Sequence, residues 1–495
     1  MVRRRQVIQK QPDKYVRDES IARYGVQCIK TYATEVNLDR AVPDLFDGLK
    51  PVQRRALWSL SHCKRGELIK TARCVGDCLG KYHPHGDTSV AGAIETLVHH
   101  NTPLVQGTGN WGGLLDSAAA IRYTNCTLSN FGWSCFDPDY IAVTKFVPNY
   151  DGKDKEPVCL PVSLPIVLLN GSDGIGVGVT TKLPTFTAES VVEVLKTLFS
   201  GKKLSYSYLA NTLKPALKWG GRFVNTKANK EQWLQLMKTG RAQIHYDSPL
   251  EVDVDHKKII ISQWPPGLNP DKFISKVRTL SECSRAYNSK GSTTFTIECR
   301  KEYNVAQFQD FVKKIEKMTV VRQSYRMNVT HRTAKTEDGI TSFNTEFLSL
   351  GVGELFVRWS RLRLQLEDEY LANLIHKQIK AVNYSKLLIY ACNNLKVVFD
   401  SLKQNDPDSY LVKHLKISLE QAKQILELRV RQLSKLDQTA LKQKLKDQLV
   451  VLKQLKARKA NPKPAIVENL AGIMALVNKD RVVDGKRRTA KFTVH

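Results

Sequence analysis

The run Arg40-Ala-Val-Pro-Asp-Leu-Phe-Asp-Gly-Leu-Lys50-Pro-Val-Gln53-Arg54-Arg55 decides how this chain is read. Proline and glycine kink its first half, and its second half opens a helix. From Val52 to Leu60, helical spacing puts Ala56, Leu57 and Leu60 on one face and leaves Arg54 and Arg55 largely outward. Four cations, Arg40, Lys50, Arg54 and Arg55, fall within sixteen residues around a helix start, where phosphates bind readily. The alternative is ordinary surface charge beside a turn.

Two further segments add to it. Lys81-Tyr-His83-Pro-His85-Gly-Asp87 holds two histidines stiffened by a proline, able to donate to phosphate or relay protons. Asp116-Ser-Ala-Ala-Ala-Ile-Arg122-Tyr123-Thr124 pairs a phenol with a guanidinium. A tyrosine hydroxyl is a poor nucleophile at its usual pKa of about 10. A neighbouring guanidinium stabilises the phenolate and neutralises charge that builds on a phosphate under attack. An Arg-Tyr pair alone is most often structural, and context has to raise its weight.

Composition supplies that context. The 495 residues predict about three domains, and 42% hydrophobic with 25% charged residues excludes a disordered or collagen-like chain. Lys and Arg outnumber Asp and Glu by 76 to 48, a net charge of +28, so an anionic partner is expected, either nucleic acid or an acidic membrane face. No run is long and apolar enough to span a membrane, and the basic N-terminus lacks the apolar core of a signal peptide. Cys74 and Cys78 with His83 and His85 fit no common zinc spacing, and the ten cysteines read as free thiols of a reducing compartment. Gly107-Thr-Gly109-Asn-Trp-Gly112 matches a dinucleotide fingerprint, but no clear strand-helix-strand unit or distal acid accompanies it. Asp253-Val-Asp255 reads as a solvated strand edge. No metal site is expected in this chain.

By texture, 1–25 is a basic arm, 26–150 mixes short helices with Gly, His and aromatic residues, and 151–351 is a mixed α/β region. Lys257 to Trp264 and Thr293 to Glu298 read as strands. From 352 to 475 the pattern is helical. Leu364, Leu371, Leu374, Ile375, Ile379 and Val382 form one stripe, and Leu441, Leu445, Leu449, Leu452 and Leu455 another. Ser418-x-x-Gln421 predicts a capping box starting a helix over 420–430, and Asn461-Pro-Lys-Pro464 ends the second long helix. An antiparallel coiled coil with a small helical head fits, and so does an ordinary bundle. A basic tail fills 476–495.

Together these segments resemble the breakage-reunion subunit of type IIA DNA topoisomerases: the gyrase A, topoisomerase IV C and phage medium subunits. The resemblance rests on R-A-V-P-D-L-F-D-G-L-K-P-V-Q-R-R, G-D-C-L-G-K-Y-H-P-H-G-D, G-T-G-N-W-G, A-A-A-I-R-Y-T, N-Y-D-G at 149–152, L-N-G-S-D-G-I-G-V-G at 169–178 and I-L-E-L-R-V-R-Q-L at 425–433, in the family's order. It implies an α+β multidomain fold: a winged-helix DNA-gate domain, a mixed α/β tower domain and an antiparallel coiled coil with a helical C-gate. Tyr123 would be the nucleophile, Arg122 would stabilise the phosphate, Arg40 would approach it and His85 would move a proton or touch it. Lys50, Gln53, Arg54, Arg55, Lys81 and His83 would meet the DNA backbone. Thr88 falls at the quinolone-associated hydroxyl. Ile175 would wedge between base pairs; otherwise it is a core residue of a Gly-rich turn.

The resemblance also implies a homodimer acting on double-stranded DNA with an ATPase/TOPRIM partner in a heterotetramer-like holoenzyme. Mg²⁺ and ATP would both sit on that partner, in a bacterial or phage-infected cytoplasm. Departures carry expectations too. Gln53 stands where the family often has His, and Gly92 where bacterial enzymes commonly carry an acid, so weakened quinolone sensitivity is expected. No C-terminal β-pinwheel follows the coiled coil, so relaxation and decatenation are expected rather than supercoiling. One rival is a DNA-bending scaffold that needs no Tyr123. Another is a tyrosine recombinase or nickase, whose dispersed Arg/His/Tyr pattern is missing.

Overall fold

The computed structural model describes residues 20–288, 292–337, 340–427 and 435–482. The first nineteen residues of the expected arm, the 428–433 part of the 425–433 run and the basic run at 486–491 lie outside them. The fold is mixed α/β.

Helix α1 (Ile21–Val36), capped by Ser20, passes through a π-turn at Asn37–Ala41 into the Arg40–Lys50 loop. Gly48 adopts φ +68°, and a Cβ there would sit 2.3 Å from the Val167 nitrogen, so only glycine passes. Helix α2 (Pro51–Ser61) starts at a proline, and Gln53 Oε1 caps it by accepting from the Lys50 N–H at 3.0 Å. Ala56, Leu57 and Leu60 are buried, as their spacing requires. Then come β1 (Ile69–Lys70), α3 (Thr71–Lys81), α4 (Asp87–Val98), β2 (Val105–Thr108) and β3 (Asn125–Leu128). The three strands form an antiparallel sheet in the order β1-β3-β2. A hairpin of β4 (Phe146–Pro148) and β5 (Lys155–Pro157) lies beside α2. A second hairpin, β6 (Ser172–Ile175) and β7 (Thr180–Leu183), edges a five-stranded sheet continued by Val321–Arg326, Arg241–Asp247 and Arg222–Phe223.

The expected strands are present at Lys258–Ile261 and Phe295–Cys299, in a four-stranded sheet with its own core around Trp264, Phe273, Phe308 and Phe311. The helical texture resolves into a 42-residue helix, Val352–Asn393, and a 26-residue helix, Lys435–Ala460. They run antiparallel: Glu367 meets Arg458, and further along Gln378 donates to the Gln448 carbonyl. Between them a helical head packs on Leu387, Ala391, Leu411, Leu415 and Ile425. Its capping box is present, with Ser418 and Gln421 bonded reciprocally at the start of Leu419–Leu426.

The 476–495 stretch needs correcting. A helix at Lys463–Val482 carries the chain back to the main body, so any basic tail begins after 482. Ile466, Leu470, Ile473 and Val477 join the same core as Leu45, Leu57 and Phe131. Asp480 accepts from the Asn130 and Phe131 N–H groups, at 2.9 and 2.8 Å, and so holds the start of the short helix Asn130–Ser134.

Candidate nucleic-acid interface

Two patches carry the residues singled out from the sequence, and α3 joins them. At its C-terminal end, Arg40, Lys50, Gln53, Ser89, Gly92 and Lys182 line an open groove of about 550 Å³. Lys50 Nζ donates to the Asp173 carbonyl at 2.6 Å, and burial pulls its pKa below the usual range, with Asp173 opposing. His83 is buried and packs edge-on to the exposed His85 ring, centroids 4.5 Å apart. Burial first, then the charges of Arg55, His85 and Arg40, push the His83 pKa down to about 4. His83 is therefore neutral at pH 7, and its Nδ1, 3.1 Å from Arg55 Nη1, accepts from that guanidinium. Of the two histidines, His85 is the one open to a phosphate. Lys81 is exposed beside them, and Thr88 is exposed on the first turn of α4, where its N–H donates to Asp87.

Three sequence expectations change here. Arg54 does not face outward. It is 7% exposed, and its guanidinium forks onto Asp47 at 2.6 and 2.9 Å. Asp47, fully buried, also accepts from the Leu49 and Leu160 N–H groups and so anchors the whole loop. A buried charge is retained only when paired, and this pair is spent inside the protein. Arg55 is half-turned inward, bidentate to Glu156 on β5 at 2.7 and 2.8 Å. Gln53 is buried with its Oε1 held by the α2 cap.

Ile175 resolves the other way. It is 83% exposed at the end of β6, so it is not a core residue. Its neighbours explain this. A Cβ on Gly174 would lie 2.1 Å from the Ala41 carbonyl, and one on Gly176 would lie 1.9 Å from Asn37 Oδ1. The strand presses its glycines against the Asn37–Ala41 turn, and the pleat sends Ile175 outward. Asn37 pins the hairpin by accepting from the Val177 N–H and donating to its carbonyl.

At the other end of α3, Tyr123 is 62% exposed in the turn before β3, and the Arg122 guanidinium lies 4.7 Å over its ring. The glycines of the 107–112 run serve this loop. Gly109 takes φ +99°, where a Cβ would lie 3.0 Å from the Tyr123 carbonyl, and a Cβ on Gly107 would collide with Trp111. Among the described residues no hydrogen bond or ion pair joins Tyr123 or Arg122 to Arg40 or His85. Helix α3, eleven residues and roughly 16 Å long at 1.5 Å per residue, runs from Thr71, bonded to Thr124, to the turn that carries His83 and His85.

Sequence reasoning missed Asp47, Asn37, Glu156, Thr71 and Thr124. Among the described residues, one group could bring three ligand atoms together, Asp44, Asp47 and Cys159. It is a poor seat for Mg²⁺, which wants hard oxygens and water, because Arg54 already occupies both Asp47 oxygens. No helix among the described residues is long and apolar enough to cross a membrane.

The profile of the DNA gyrase/topoisomerase IV A-subunit family matches residues 40–470. The chain belongs to that family. A DNA gyrase A subunit from Nocardioides sp. is 30% identical over 473 residues, covering 89% of this chain and 48% of the relative. A probable chloroplastic/mitochondrial DNA gyrase A subunit from rice, Oryza sativa subsp. japonica, is 36% identical over 277 residues, covering 52% and 29%. A DNA topoisomerase 4 A subunit from Salmonella typhimurium is 27% identical over 430 residues, covering 83% and 55%. This member of the gyrase/topoisomerase IV family thus spans about half the length, or less, of the curated relatives it matches.

Proposed function

We propose that this chain is the DNA-cleaving and rejoining subunit of an ATP-dependent type II DNA topoisomerase. The observation that carries the reading is Tyr123, exposed at a loop tip under the Arg122 guanidinium in a strongly basic chain of the gyrase/topoisomerase IV family. The Tyr123 oxygen gives up its proton to solvent and attacks the backbone phosphorus; a new O–P bond forms, the bond to the 3′-oxygen breaks, and that oxygen takes up a proton and leaves as a hydroxyl. The product is a 5′-phosphotyrosyl link that keeps the phosphodiester energy, so cutting and resealing need no ATP. Arg122 neutralises charge on the phosphate as it forms. A duplex laid along α3, whose length matches about five base pairs at 3.4 Å each, would pass both patches. His85, Arg40 and Lys50 then hold the backbone, and Ile175 wedges into the stack.

Supporting the winged-helix reading of 26–150 is the order helix–strand–helix–helix–strand–strand with sheet β1-β3-β2, the order that a helix-turn-helix backed by a small sheet would give. The 151–351 region serves as the tower. The antiparallel arm and head, 352–475, serve as the lower gate of a homodimer, since cutting two strands needs two tyrosines. Mg²⁺ and ATP belong to an ATPase/TOPRIM partner, and this chain's own residues bind and orient the DNA.

Covalent trapping tests the proposal. Tagged wild type and Tyr123→Phe are expressed in the native host, denatured rapidly and washed stringently. DNA is expected to stay with wild type and not with Tyr123→Phe. If neither retains DNA while partner and duplex are shown to be bound, the nucleophile reading falls and a DNA-bending scaffold takes its place.

A further inference from the structure

We infer that Thr71 and Thr124 are positioning residues for the Tyr123 hydroxyl, an inference that rests on the nucleophile reading above. Tyr123 itself is exposed, yet the chain around it is tied on three sides. Its N–H donates to the Ala120 carbonyl at 2.8 Å. The next residue, Thr124, gives its carbonyl to the Thr71 N–H at 3.1 Å, and its Oγ1 donates to Thr71 Oγ1 at 2.8 Å. Gly109 closes the third side, because a Cβ there would press on the Tyr123 carbonyl.

Thr71 is 0% and Thr124 2% exposed, so neither can touch a duplex, and any influence on the reaction passes through Tyr123. Valine would fill the same space. A hydroxyl is costly to bury unless bonded, and what the two hydroxyls add to packing is direction. Thr71 is the first residue of α3, and Thr124 leads into β3, whose Asn125 pairs with Lys70. The clamp thus fixes the nucleophile loop to the helix whose far end leads to His83 and His85. Reacting atoms tolerate little displacement, and about 1 Å of misplacement can cost on the order of a hundredfold in rate.

The test uses the holoenzyme with its ATPase/TOPRIM partner: single-turnover formation of covalent adduct on a gate duplex at saturating DNA, with duplex affinity measured by anisotropy. Thr124→Val is expected to slow cleavage roughly ten- to hundredfold while affinity stays within about twofold. Thr124→Ser, which keeps the hydroxyl, is expected to recover to within about threefold of wild type. Thr71→Val is expected to slow cleavage as well, and the double variant to be less slow than the product of the two single effects, because the Thr71–Thr124 bond is lost in all three, while Thr124→Val also loses a 3.5 Å contact to the Ile121 carbonyl and Thr71→Val a bond to Cys126. Wild-type cleavage by Thr124→Val overturns the inference. So does parallel loss of rate and affinity that Thr124→Ser fails to rescue, or failure of both valine variants to fold, since a purely structural role then suffices. A wild type that forms no adduct sinks the Tyr123 reading itself, whereas wild-type adduct with an unaltered Thr124→Val sinks the clamp alone.

Discussion

Arg54 and Arg55 stand side by side in the sequence and do different work. Arg54 completes a buried ion pair with Asp47 that also fixes the Leu49 and Leu160 amides. Removing one partner of such a pair leaves a charge stranded in the core. Arg54→Ala is therefore expected to cost about 3–5 kcal/mol of stability, seen as a lower denaturant midpoint. The proposed DNA binding would fall only as the folded fraction falls. Helical spacing is a partial guide here, because Arg54 lies one turn before Leu57 and so borders the apolar face. What spacing cannot show is that a loop carboxylate waits there. The same holds for Arg55 and Glu156, 101 residues apart, and for Thr71 and Thr124, 53 apart. By contrast, the pairing of Arg122 with Tyr123 is legible because it is local: neighbours in sequence, they meet in space as guanidinium over ring.

At the scale of elements, the two long helices, the capped helix of the head and the break after Ala460 follow from stripes and caps that repeat within a few residues. The helix Lys463–Val482 is not legible as part of the body, because its partners lie hundreds of residues earlier. Asp480 shows what the docking does. Its carboxylate satisfies two N–H groups at the start of Asn130–Ser134, donors that a short helix leaves without partners of its own. Asp480→Ala is expected to destabilise the protein by about 1–3 kcal/mol, read as a drop in melting temperature. The arm root is held in a comparable way. Glu367, fully buried, accepts from Tyr140 and from Arg458, and Arg363 bonds the same Tyr140 hydroxyl at 2.8 Å. These contacts fix the long helix where it leaves the body.

For the whole molecule, the net charge of +28 sets the expected mode of binding: many weak contacts to phosphate and little reading of bases. Affinity for a duplex is expected to fall by about a thousandfold or more between roughly 50 and 200 mM salt, measured by anisotropy of a labelled duplex. A shallow slope would argue against backbone contacts as the main grip. The path of the chain has another consequence. Arm and head are an excursion between Val352 and Ala460, and the body's core is completed only by Ile466, Leu470, Ile473 and Val477. During synthesis at roughly 5–20 residues per second, the ribosome needs on the order of 5–25 s to travel from the arm's first residue to those four. The arm can zip up on itself in that interval, while the body waits with an apolar gap for the last helix to emerge. Premature termination within the arm would therefore not yield a trimmed but folded protein. It would yield a body missing its keystone, and a client for chaperones.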